Sequence, residues 1–123
     1  MYSLSQRSMQ NLSGVHPDLV AVVKRAIEIT EQDFSVIEGV RSKERQRELV
    51  AKGASQTMNS RHLTGHAVDL APYPLSWDWE YFYPIADAMK AAAEEFGVDL
   101  EWGGDWVSFK DGPHFQLPWD TYP

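Results

Sequence analysis

Gly65 interrupts a ten-residue run, Ser60–Asp69, that would otherwise carry His62 and His66 at helical spacing. On one helix the two rings would share a face, but glycine inside a helix costs about 1 kcal/mol relative to alanine. The position after His62 is Leu63, not the glutamate that a helical pair of metal-binding histidines employs for its chemistry. The stretch reads instead as a turn at Gly65 followed by a strand, His66 to Ala71, stopped by Pro72 and Pro74. Strand alternation then sorts the side chains: Ala67 and Asp69 share one face, and His66 and Val68 share the other. If Asp69 faces a site, His66 faces away from it, and His62, beyond the turn, is free to curl back beside Asp69.

The remaining pattern alternates helices with short strands. Residues 1–15 read as an extended lead-in. His16-Pro17-Asp18 opens a helix, with proline at the first helical position and acid in the first turn. Leu19, Val22, Val23, Ala26, Ile27 and Thr30 form its inner face. Phe34 to Val40 is β-branched and aromatic, short enough for a strand. Ser42 can cap a helix from Lys43 to Lys52, and Gly53 to Ser60 reads as a polar loop. Trp77 to Phe96 suits a long helix stopped by Gly97. Val98–Trp102 and His114–Leu117 are the last candidate strands. This order predicts an α+β fold, a small antiparallel sheet with helices packed on it. The 123 residues are expected to form one domain, 1–123.

Two stretches hold the chemistry. The first is Ser60–Asp69; the second is Trp102-Gly103-Gly104-Asp105-Trp106 with Asp111-Gly112-Pro113-His114-Phe115. There is no cysteine, so a metal would have to be held by His, Asp or Glu. His62, Asp69 and His114 give three protein ligands with a fourth position left for water, the inventory of a catalytic zinc site. His16, at a helix start, is not expected to bind metal. Asp111 precedes His114 by three residues across a Gly-Pro bend. It either begins a turn with Gly112 or accepts a proton from the water that zinc activates. Arg41, at a strand end, either pairs with Glu44 or Glu48 on the surface or points its guanidinium at a substrate oxygen. Asp105 is either a loop former or an acceptor for the free N–H of a ligand histidine. A net charge of -7 argues against nucleic acid as partner and against tight adsorption to an anionic surface. No apolar run is long enough to span a membrane, and Met1–Gly14 lacks the apolar core of a signal peptide.

The Ser-x-His-x-x-Gly-x-Ala-x-Asp pattern followed by a distal Asp-x-x-His resembles the zinc peptidases of bacterial cell walls. These are the D-alanyl-D-alanine carboxypeptidases and dipeptidases and the L-alanyl-D-glutamate endopeptidases. The Trp-Gly-Gly-Asp-Trp run, Asp-x-Pro-His-Phe and the opening from Ser5 through Leu19 resemble the endopeptidase branch, which includes phage endolysins. The resemblance implies the hedgehog/DD-peptidase-like fold and a bound Zn2+ ion. It also implies peptidoglycan stem peptides as substrate, cut at the L-alanyl-D-glutamate bond. In that scheme Asp111 is general base and acid, Arg41 holds an oxyanion or a substrate carboxylate, and Ser60 is a supporting or substrate-binding hydroxyl. A monomer that waits in the host cytoplasm until the membrane is permeabilised completes the expectation. The alternatives are a D,D-carboxypeptidase or dipeptidase of the same fold, and a non-catalytic zinc-stabilised wall-binding domain, against which the intact Asp111 argues.

Overall fold

The computed structural model describes residues 1–55 and 57–123. Among the described residues, four helices pack with one four-stranded sheet: α1 Gln6–Asn11, α2 Pro17–Ile29, β1 Phe34–Glu38, α3 Lys43–Ala51, β2 Ala67–Pro72, α4 Phe82–Phe96, β3 Glu101–Trp102 and β4 His114–Gln116. Single 3-10 turns cover Arg61–Thr64, Trp79–Tyr81 and Gly103–Asp105. The sheet order is β1-β2-β4-β3, with every pair antiparallel, which is the expected α+β architecture.

Val68 on β2 pairs with Phe115 on β4. Both join Leu19, Val22 and Val23 of α2 and Ile85 and Met89 of α4 in one buried cluster. Burying such side chains contributes about 1.5–3 kcal/mol each, so this face of the sheet anchors the fold. The opposite face of the same two strands carries Asp69 opposite His114 and Ala67 opposite Gln116. Alternation along two central strands thus separates core from site.

α2 begins as the sequence predicts, with His16 as its cap: Asp18 N donates to His16 Nδ1 at 3.1 Å. Ser42 caps α3 by accepting from Arg45 N at 3.1 Å. The lead-in differs from expectation, because residues 6–11 are helical. The inward residues of α1 are polar, not apolar: Val36 N donates to Ser8 Oγ at 3.0 Å, and Asn11 Nδ2 donates to Val36 O at 2.8 Å. This helix covers the edge strand by hydrogen bonds, so no apolar stripe announces it. α4 starts at Phe82, not Trp77, after the 3-10 turn. The strand expected from Val98 shortens to Glu101–Trp102. The loop expected over 53–60 includes Gln56, which lies outside the described residues. Among the described residues, no helix is long and apolar enough to cross a membrane.

Candidate metal centre and its cleft

The turn before β2 sets the first ligand. Ser60 Oγ accepts from His62 N at 3.2 Å and caps the 3-10 turn Arg61–Thr64. Gly65 ends that turn at φ 77°, in the left-handed region that glycine reaches without strain. A Cβ there would stand 2.5 Å from Gly14 O, so this crossing admits no side chain. His62 therefore returns over the sheet face that carries Asp69, while His66 leaves toward the start of α2. His66 Nδ1 lies 2.7 Å from Thr64 Oγ1, and its ring centroid is 5.4 Å from that of His16. Neither His16 nor His66 belongs to the cluster.

His62, Asp69 and His114 converge, each offering one ligand atom, with all three atoms within 4.8 Å of one another. His62 Nε2 lies 3.1 Å and His114 Nδ1 3.2 Å from Asp69 Oδ1. The outer ring nitrogens decide the tautomers. His62 Nδ1 meets the Gly39 carbonyl at 2.8 Å, and His114 Nε2 meets Gln116 Oε1 at 2.7 Å. Both partners can only accept, so in neutral rings those outer nitrogens carry the protons. The inner nitrogens then present lone pairs to a carboxylate oxygen. Three acceptors facing one another without a proton fit a cation between them, and outer partners of this kind orient metal-binding histidines. Without a cation, a proton on His114 can sit against Asp69 instead. Burial opposes charge on His114, yet the hydrogen bond to Asp69 raises its pKa. Burial would raise Asp69, but His114 and His62 outweigh it and hold its carboxyl well below the ordinary range.

Asp111 lines the same cleft, which measures about 870 Å³. Its carbonyl accepts from His114 N at 3.2 Å, so it does shape the bend. Its carboxyl is raised by burial and by the nearby Asp69 charge. Asp111 thus forms the turn and also lines the cleft. Gly103 makes the approach possible, since a Cβ there would meet Asp111 O at 2.4 Å.

Arg41 pairs with Glu38 rather than with Glu44 or Glu48, and its Nη2 lies 3.7 Å from Asp69 Oδ2. A register shift between Val36 and Glu38 brings Glu38 opposite Asp69, as bulges beside sites commonly do. Gln46 completes the support. Fully buried, it accepts from Arg41 Nη1 at 2.7 Å and donates to Ser55 Oγ at 2.8 Å and to Thr57 O. On the far side, Gln116 Nε2 donates to Glu101 Oε2 at 3.3 Å, and Trp106 Nε1 donates to the same oxygen at 2.8 Å. Asp105 takes no part in this network. It is exposed and bonds Lys90 Nζ at 2.8 Å, because the Gly103–Asp105 turn sends it outward. Gln116 and the Gly39 carbonyl hold the histidines in its place.

The family described as phage L-alanyl-D-glutamate peptidase matches residues 1–117. The L-alanyl-D-glutamate peptidase of Escherichia phage T5 is 32% identical over 98% of this chain and 93% of its own length. The crystal structure of the Serratia marcescens L-Ala D-Glu endopeptidase ChiX has a TM-score of 0.92 and 55% identity, covering 96% of this chain and 91% of that one. The vancomycin-resistance D,D-dipeptidase VanXYg shares the fold, with a TM-score of 0.58 at 18% identity over 84% of this chain and 50% of that one. The chain belongs to the phage L-alanyl-D-glutamate peptidase family.

Proposed function

We propose that the chain is one zinc-dependent catalytic domain that hydrolyses the L-alanyl-D-glutamate bond of peptidoglycan stem peptides. The observation that carries this reading is the set of three converging acceptors beside the Asp111 carboxyl in an open cleft. Imidazole and carboxylate donors without thiolate suit zinc among the common metals. Bound through His62, Asp69 and His114, zinc would supply Lewis acidity toward the scissile carbonyl and the attacking water.

The chain's own groups do the rest. Asp111 accepts a proton from the attacking water as the new C–O bond forms. It returns that proton to the departing D-glutamate amine as the C–N bond breaks, leaving a carboxylate on L-alanine. Burial, which raises Asp111, suits it to both directions of transfer. Arg41, fixed by Glu38 and Gln46, sets a positive charge at the cleft floor for the carbonyl oxygen or a substrate carboxylate. Ser60 contributes by capping the turn that holds His62. A phage lysis protein that meets the wall after the membrane is opened is the biological role in keeping with this chemistry.

Digestion of purified peptidoglycan, followed by mass spectrometry of the new termini, tests the reading. New amino termini on D-glutamate are expected. Release of terminal D-alanine would replace the reading with a D,D-carboxypeptidase, and intact wall with bound protein would replace it with a binding domain.

A further inference from the structure

One wall of the cleft has no part in the chemistry above. Trp119, just beyond β4, lines the same cleft as His62 and Asp69 and remains 45% exposed. The guanidinium carbon of Arg61 lies 4.0 Å from its ring centroid and holds the ring. Arg61 is only 3% exposed. Its hydrogen bonds go to carbonyls: Leu117 O at 3.2 and 3.1 Å, and Tyr122 O. Burying a guanidinium is costly unless its hydrogen bonds are made. Here the arrangement ties the C-terminal segment to the site and stacks on one face of an indole that lines the cleft and stays half exposed.

A rigid exposed indole fits a ligand with one apolar face and a polar rim, which describes a pyranose ring. The substrate supplies one. In peptidoglycan the L-alanine nitrogen is acylated by the lactyl group of N-acetylmuramic acid. About two to three residue lengths, roughly 7–10 Å, separate the scissile carbon from the sugar. The cleft, at about 870 Å³, sits near the top of the roughly 300–1,000 Å³ range of small-molecule sites, which leaves room beyond two amino acids.

We propose that Trp119, backed by Arg61, is a sugar subsite that stacks the N-acetylmuramyl ring and favours stem peptides still attached to glycan. The proposal rests on the peptidase reading of the cleft. The test uses the full zinc-loaded chain and two substrates, an N-acetylated L-Ala-γ-D-Glu-containing tripeptide and the same tripeptide on N-acetylmuramic acid. The wild-type protein is expected to show kcat/KM up to about tenfold higher on the muramyl peptide, mainly through KM, the gain of one stacked ring. Trp119→Ala removes that preference while free-peptide hydrolysis falls no more than about threefold, and Trp119→Phe keeps part of it.

No wild-type preference, or an equal fall on both substrates in a folded Trp119→Ala protein, overturns the proposal. Should the alanine variant fail to fold, the Trp119 indole N–H resonance in the wild type decides. A shift on adding N-acetylglucosaminyl-N-acetylmuramic acid supports the subsite, and no shift overturns it. Failure to cleave either substrate would refute the peptidase reading, and the resonance would still report on sugar binding.

Discussion

The Asp111 carboxyl is raised by burial and by the neighbouring Asp69, so in the metal-free protein its ionisation opposes folding. For an acid whose folded value is raised, the penalty appears as pH climbs from the ordinary carboxylate value of about 4 through the folded value. Asp111→Asn removes the penalty and the base together. The metal-free variant should be at least as stable as wild type at neutral pH, with that advantage vanishing in acid, as thermal melts at several pH values would show. With metal bound, hydrolysis should fall by about 10²–10⁴ while metal content stays at one equivalent. Metal lost along with activity would make Asp111 a ligand or a support instead. The histidines separate by a parallel measurement. His62→Ala and His114→Ala should lose the bound metal, and His66→Ala should retain it, because the His66 ring lies against His16. Metal analysis of the three proteins checks the assignment.

Among the elements, the turn ending at Gly65 and the helix carrying Gln46 hold the site's side chains in place. Gly65→Ala combines a left-handed backbone with a clash on Gly14 O, a strain of about 1–3 kcal/mol. It should lower both the melting temperature and metal affinity, since the same turn aims His62. Gln46→Leu leaves Arg41 without its Nη1 partner and frees the Thr57 carbonyl, costing about 1–3 kcal/mol. Its kinetic signature should be a lower kcat/KM with the metal still bound. Strand alternation made much of this legible in advance: Asp69 and His66 fall on opposite faces as their spacing predicts. The same period places Gln116 beside His114, and Gln46 stands at i, i+3 and i+4 spacing with Leu49 and Val50, so both could have been found. Glu38 could not, because a bulge aims it. Nor could the Gly39 carbonyl, which carries no side-chain signature. α1 escaped because its inner face is polar, and Asp105 misled because a 3-10 turn reverses its direction toward Lys90.

At the scale of the whole molecule, metal and a proton compete for His114. In the metal-free protein the raised His114 adds stability below the unfolded histidine value of about 6.5, and that stability is lost as pH rises through the folded value. Metal requires the deprotonated rings, so its affinity rises over the same interval. The difference in melting temperature between metal-loaded and chelated protein should therefore widen from pH 6 to pH 8, and a constant difference would count against these ligands. The ligands rest on β2 and β4 or on the turn that feeds β2, with the packed core directly behind them. Much of the cleft's wall comes from elsewhere: Gly53 to Ser55 and Thr57 after α3, Trp106 and Ser108 to Lys110, and the tail at Trp119. For anyone redesigning such a peptidase, this amounts to a chassis with fittings mounted around it. Exchanging the outermost fitting, the tail at Trp119, would retune what the cleft accepts, and the metal ligands, bolted to the sheet, would stay in place.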